Sequence, residues 1–359
     1  MRIRHIDRMR AIAVLCMVEV HTAAIIPPEG ITVGHPAAFI AAAFGGMAAP
    51  LFVTISGWGI HISSKRLLSD TDFTLSRLAK WSIPRALTLV LCQIIVNILL
   101  ISDRGGRFEW GTPGVLTLLA VATLVAPIFS IISFHFRGLL LVLTAILPLV
   151  LGEYSGTDWT WWERVHSNGT MEWLQRLILN GTYPVLPWIF FVILGTLIHD
   201  FNDNENIRSR LVSLGILSIV FSVAYSFHSS IPWALTEGEA ILTFFPASFP
   251  FLLVSGTFVI LTQWFLEGDE PEGGLPRGGE ALSFLEPAGK ITLTIYVAHF
   301  AVLGAVAYLM QGNPRLDIIP AFLATIAHTL IWIPLAIWHQ NNIPNFSIEG
   351  LLRRSQSFR

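Results

Sequence analysis

Charge is scarce in this chain. Of 359 residues only 13% are charged, while 53% are hydrophobic, and mean hydropathy is +0.64. Soluble domains carry about twice that charge share, so a soluble globular protein is excluded. Excess charge of one sign is missing too: 22 basic residues face 24 acidic ones. Without a basic surplus there is no footprint for nucleic acid. Cysteine is nearly absent. Cys16 and Cys92 both sit in apolar runs, which rules out a disulfide framework and reads as small buried hydrophobes. No His/Cys/Asp/Glu spacing recommends a metal site, and no glycine-rich phosphate loop is present. Long internal repeats are also missing, which counts against the repeat-built transporters.

What is abundant is apolar sequence in long runs. A helix needs about 20 apolar residues to cross a bilayer core. Ten segments qualify, at 11–28, 38–62, 82–101, 113–133, 138–152, 184–199, 211–228, 249–267, 288–310 and 318–339. The expected fold is an all-α polytopic membrane protein with about ten transmembrane helices, forming one integral-membrane domain. With the N-terminus in the cytoplasm, ten crossings place seventeen Lys and Arg inside and five outside. That bias follows the positive-inside rule, so both termini are expected to be cytoplasmic. The first segment carries Glu19 and His21 and reads as a retained helix, not a cleaved leader. The outer loop 153–183 is rich in Trp, and 171–179 reads as an amphipathic helix lying at the interface, as an anchor or as a lid. The inner loop 267–285, rich in Gly, Pro and Glu, reads as a flexible linker. Asn168 and Asn180 open glycosylation sequons, meaningful only in a eukaryotic source.

The first helix carries the candidate chemistry. Arg10 and His21 are eleven residues apart, close to three full turns, so they share a face. His21 then lies about 16 Å deeper than Arg10. Asp7, one turn before Arg10, can pair with it. The stripe therefore runs carboxylate, guanidinium, imidazole. Ionisable groups at membrane depth are costly and read by default as functional. An imidazole can act as general base near neutral pH, and a guanidinium at the mouth can hold phosphate or carboxylate. Arg10 as a topological anchor and His21 as a bonded core histidine are the plain alternatives. Glu19 lies on the other side of the helix and reads as a protonated or paired interhelical residue.

Other residues join this reading. His299 lies nine residues beyond Lys290, roughly 13 Å along a helix, at a depth like that of His21. It is a candidate partner to the base, as an oxyanion donor, with a plain interhelical hydrogen bond the equal alternative. Pro50 is expected to break the second helix, with Ser56 facing a cavity. Lys65, Arg66, Arg77 and Lys80 make a basic inner loop that fits phosphates or lipid headgroups.

Arg-x10-His opening the first helix resembles the signature of membrane-bound acyltransferase family 3. The remaining pattern is similar to the group around heparan-α-glucosaminide N-acetyltransferase. Asp7-Arg8-Met9-Arg10-Ala11 resembles that group's Asp-x-x-Arg-Gly start. Ala48-Ala49-Pro50-Leu51-Phe52 through Gly57 resembles its second helix, and Leu186-Pro187-Trp188-Ile189 with Leu194-Gly195 its sixth. Phe245-Pro246-Ala247-Ser248-Phe249 is similar to its Pro-Pro-Ser stretch. Gly289 to His299 is similar to its Gly-Arg-x-Ala-Leu-Thr-x-Tyr stretch. Ala11 replaces the usual Gly, and Phe244-Phe245 stands where a basic residue is common.

The resemblance implies an acetyltransferase, and its expected location is the plasma membrane of a prokaryote. Its donor is acetyl-CoA, entering from the cytoplasm past Arg10, with Lys65, Arg66, Pro50, Ser56 and Lys290 as candidate contacts. Its acceptor is a carbohydrate or lipid-linked glycan. The base is His21 or, by the heparan group's pattern, His35, and direct transfer and an acetyl-histidine both fit. No metal and no nucleic acid are implied. Membrane lipids surround the protein, and a homodimer is possible. A transporter of small anions or glycans is the rival reading of the same helices.

Overall fold

The computed structural model describes residues 3–31, 35–201, 204–267, 279–310 and 315–357. Arg2, Arg277 and Arg359 among the expected anchors, and 268–278 of the expected linker, lie outside the described residues. Fifteen helices follow in order: α1 (Arg4–Ile25), α2 (Pro36–Gly45), α3 (Ala48–Leu68), α4 (Leu75–Leu99), α5 (Val115–Ile131), α6 (Phe134–Leu151), α7 (Trp161–Val165), α8 (Thr170–Gln175), α9 (Val185–Phe201), α10 (Glu205–Ser229), α11 (Phe249–Glu267), α12 (Glu286–Gly289), α13 (Thr292–Leu309), α14 (Ile318–Asn342) and α15 (Ile348–Ser357). Two short parallel strands, β1 (Ala234–Glu237) and β2 (Leu242–Phe245), pair with Ala234 opposite Leu242.

The protein is a mostly helical polytopic membrane protein. Among the described residues, seven helices are long and apolar enough to cross a membrane, or eight if the bent pair Thr170–Asn180 with Val185–Phe201 forms one span. Two of the ten expected segments fall short of that test for physical reasons. α5 has 17 residues, and α1 carries Arg4, Asp7, Arg8, Arg10 and Glu19 among its 22.

The chain divides into two compact units whose boundaries fall inside α3, α4 and α11. The first comprises Met1–Phe52, Ile95–Trp110 and Leu261–Arg359. Its core forms where Ala11, Val14 and Val18 of α1 meet Ala288, Ile291, Ile295 and Ala336. Small residues let the backbones close in: a Cβ on Gly289 would collide with the Asp7 carbonyl, and one on Gly304 with that of Leu99.

The second unit comprises Val53–Ile94 and Gly111–Ile260. Its axis is α9, buried from Pro187 through Ile198. Cβ atoms on Gly57 and Gly195 would strike the backbones of Val192 and Thr54, so these two glycines set the approach of α3 to α9. Helix starts are closed by side chains: Gln93 accepts from the Leu116 amide, Ser133 from Phe136 and Asn204 from Ile207. These partners satisfy amides that a helix cannot pair internally.

The Trp-rich loop is organised by a buried arginine. Arg164 is 0% exposed and donates to the carbonyls of Ser155, Gly156 and Asn180. Burial pushes its guanidinium down to about 10, which leaves it charged at neutral pH. Arg176 lies over the Trp159 ring at 4.3 Å, and Trp173 donates to the Gly111 carbonyl. Asn180 is buried, bonded to Tyr154 and Arg176, so its sequon is not accessible.

Candidate active site

The first turns of α1 hold three paired charges. Arg10 bonds the buried Asp7 carboxylate at 3.2 Å and keeps 34% of its own side chain exposed. Arg8, expected only as an anchor, is 1% exposed and grips Glu286 through Nε and Nη2 at 3.0 and 2.8 Å. A buried guanidinium demands such a partner. The Arg8–Glu286 pair, with the Gly289 approach, fixes α12 against α1.

α13 follows α12 after a break at Ile291, so the helix expected over 288–310 is not continuous. Depth counted from Lys290 therefore does not transfer to His299. The start of α13 is held by Glu349 of α15, whose carboxylate accepts from the amides of Leu293 (2.6 Å) and Thr294 (3.3 Å) and from the Thr294 hydroxyl (2.7 Å). A carboxylate there satisfies orphan amides and complements the helix dipole. Glu349→Ala is expected to destabilise the fold by about 1–2 kcal/mol. Denaturant unfolding checks this, and an unchanged midpoint would mean that α15 does not hold α13.

About two turns into α13, His299 is 0% exposed and meets His21. His299 Nδ1 lies 3.1 Å from the Ile295 carbonyl, and its Nε2 lies 2.9 Å from His21 Nδ1. These partners assign the protons. A carbonyl only accepts, so His299 Nδ1 carries hydrogen and its Nε2 offers a lone pair. His21 Nδ1 must then donate, which leaves the lone pair of His21 on Nε2. Both nitrogens of His299 are engaged, and the bond to His21 is the interhelical hydrogen bond that the sequence left as the alternative to an oxyanion donor. Phe300 at 4.6 Å and Tyr296 at 6.2 Å from the His21 ring wall the pair, with Phe52 packed on Tyr296 and Phe108 on Phe300.

A third imidazole stands beside them, 6.4 Å from the His299 ring: His328 of α14. The Thr22 hydroxyl donates to the Val18 carbonyl at 2.5 Å and lies 2.8 Å from His328 Nδ1. Nδ1 therefore donates to Thr22, and His328 Nε2 is buried without a partner, as is Glu19 Oε2 on the α1 turn before Thr22. Sequence reasoning passed over His328. Its signal was available, an ionisable residue in the middle of the last apolar segment.

A family model described as an acyltransferase domain, that of acyltransferase family 3, matches residues 3–338. The chain belongs to acyltransferase family 3. Comparison with curated proteins finds no match. The family match runs from α1 into α14 and so takes in every residue of the imidazole cluster.

The remaining expected site residues of this acyltransferase are dispersed. His35 is exposed just ahead of α2, unlike the buried His299. Pro50 is buried in the first turn of α3, where its missing N–H costs nothing. The chain breaks at Gly46 and Met47 instead. Ser56 is half-buried on α3, Arg66 lies near the end of that helix, and Lys290 is half-buried between α12 and α13. Lys65 is bonded to the Asp200 carboxylate at 2.5 Å and keeps 42% of its side chain exposed. His61, His199 and Asp200 offer three ligand atoms within 4.8 Å of one another. Arg137 and Lys65 both sit on Asp200, and two cations on the one carboxylate oppose a metal ion there.

Proposed function

We propose that this family 3 acyltransferase moves an acetyl group from cytoplasmic acetyl-CoA to a sugar hydroxyl or amine of a cell-envelope or lipid-linked glycan, in the plasma membrane of a prokaryote. The observation that carries the reading is the chain of bonds from the Ile295 carbonyl through His299 to His21 Nδ1. It presents the His21 Nε2 lone pair as a general base. The likeness of the Arg10 and His21 spacing to the family signature, and of several stretches to the heparan-α-glucosaminide group, supports the same assignment.

In this reading His21 Nε2 takes the proton of the acceptor O–H or N–H as that atom attacks the thioester carbonyl. The tetrahedral intermediate collapses with cleavage of the C–S bond, and the imidazolium returns the proton to the departing thiolate. Arg10, half exposed on Asp7, meets the anionic part of the donor. His299 holds the His21 ring in the productive tautomer throughout. The aromatic walls limit water, which competes with the acceptor for the thioester.

The test uses the purified chain in lipid nanodiscs with acetyl-CoA and bacterial envelope glycan. Release of free coenzyme A that depends on glycan, with label appearing in the glycan, is the expected result. Glycan that stays unlabelled while a different acyl thioester is consumed would overturn the donor. Absence of transfer to any glycan, with transfer to lipid or protein, would overturn the acceptor.

A further inference from the structure

A second group of chemically competent side chains lies in the second unit, outside the imidazole cluster. Ser130 near the end of α5, His61 on α3 and Asp200 on α9 stand in line. The Ser130 hydroxyl is 3.0 Å from His61 Nδ1, and His61 Nε2 is 3.4 Å from Asp200 Oδ1. His61 and Ser64, one turn apart on α3, are both 0% exposed, whereas Ser130 is half-buried and so can be reached.

The hydrogens can be assigned from the partners. Many Ser and Thr hydroxyls here bond back to a carbonyl of their own helix, as Thr123 does to Leu119 and Thr144 to Leu140. Ser130 bonds His61 Nδ1 instead. Its hydrogen is satisfied only if Nδ1 accepts it. The ring proton then sits on Nε2 and points to the Asp200 carboxylate. The opposite tautomer would leave the Ser130 hydrogen without that acceptor and set the Nε2 lone pair against a carboxylate oxygen. Arg137 Nη1, 3.4 Å from Nε2, has a nearer acceptor in the Thr196 carbonyl at 3.1 Å.

The carboxylate is fixed from several sides. Arg137 Nη2 binds Asp200 Oδ2, while Lys65 at 2.5 Å and His199 at 2.9 Å bind Oδ1. The order hydroxyl, imidazole, carboxylate is that of nucleophile, base and orienting group. Two buried polar atoms of the same cluster, Arg137 Nε and Ser64 Oγ, lack partners. An unpartnered buried donor is costly in a resting protein. It is also what a developing oxyanion requires.

We propose that Ser130, His61 and Asp200 form a second acyl-transfer centre, in which Ser130 accepts an acyl group from a thioester or activated ester. Ser130 Oγ attacks the carbonyl carbon as its proton passes to His61 Nδ1. The bond from carbonyl carbon to sulfur or leaving oxygen breaks, and the leaving group takes the proton from His61. An acyl ester on Ser130 results. Water or an acceptor hydroxyl then attacks that ester, His61 receives its proton, and Ser130 Oγ recovers a proton from His61. No oxidant, reductant or metal enters the balance.

The test is labelling of the purified full-length chain in detergent micelles with an alkyl fluorophosphonate, followed by peptide mapping. The expected result is an adduct on Ser130 in the folded protein that is lost after heat denaturation. Ser130→Ala abolishes it without lowering the melting temperature, and His61→Gln slows it by about 100-fold. No adduct on Ser130 in the folded chain would overturn the proposal. So would an adduct forming equally fast in His61→Gln or in denatured protein, since that marks a merely accessible hydroxyl. The comparison of folded with denatured wild type does not depend on either variant folding. The readout does not involve His21, so it stands or falls separately from the glycan transfer proposed above.

Discussion

His21→Gln is expected to lower acyl transfer by roughly 10²–10⁴-fold, the usual contribution of a positioned general base, with the melting temperature little changed. Glutamine keeps much of the volume and can still donate to His299 Nε2, so the loss reports the missing base and not collapse of the site. A finer distinction is expected at His299, whose Nε2 receives the His21 Nδ1 hydrogen at 2.9 Å. His299→Leu removes that acceptor and frees the His21 ring to turn, at an expected cost of about 10²-fold in kcat. His299→Gln supplies an amide oxygen and is expected to retain more activity than His299→Leu. Steady-state transfer rates of the purified variants check both. Undiminished transfer by His21→Gln would move the base elsewhere, with His35 and His328 the next residues to replace.

The largest stability effect is expected at Asp200. Arg137 is 3% exposed and depends on this carboxylate for its charge balance, whereas Lys65 on the same carboxylate keeps 42% of its side chain exposed. Asp200→Ala strands a buried guanidinium with the Thr196 carbonyl and His61 as neighbours, and is expected to cost about 3–5 kcal/mol. Lys65→Ala removes a cation that water already solvates and is expected to cost less than about 1 kcal/mol. Denaturant unfolding of the two variants in one detergent decides the matter. Equal losses would mean that burial of Arg137 does not govern the network.

The fold was largely readable from hydropathy, because each apolar run declares its preference for lipid without reference to its neighbours. The exceptions have local causes. The short α12 and the break at Ile291 lie at the polar edge of an apolar run, where Gly289 and Lys290 carry a stop signal that a hydropathy count alone passes over. Pro50 marked the right neighbourhood for a break and the wrong residue, since a proline in a first turn starts a helix as readily as it interrupts one.

The site was readable only where it lay on one helix. The Asp7–Arg10 pair followed from helical spacing and is present at 3.2 Å. Arg8 was read as an anchor because nothing in its own helix reveals Glu286. The ion pair of Lys65 is invisible in its own loop, because Asp200, its partner, comes 135 positions later. His328 was overlooked because its significance comes from Thr22 and His299, not from its own surroundings in sequence.

By itself, then, the sequence determined membrane residence, the helical class and the resemblance to family 3 acyltransferases. These depend on composition, on periodicity and on short motifs, all carried within single segments. The tertiary structure alone decided which nitrogen of His21 faces His299, which carboxylates neutralise Arg8 and Arg137, and which hydroxyl faces His61. Each of those facts joins distant helices; His21 and His299 are 278 positions apart. A helix records in its periodicity which face is buried, but not which partner covers that face.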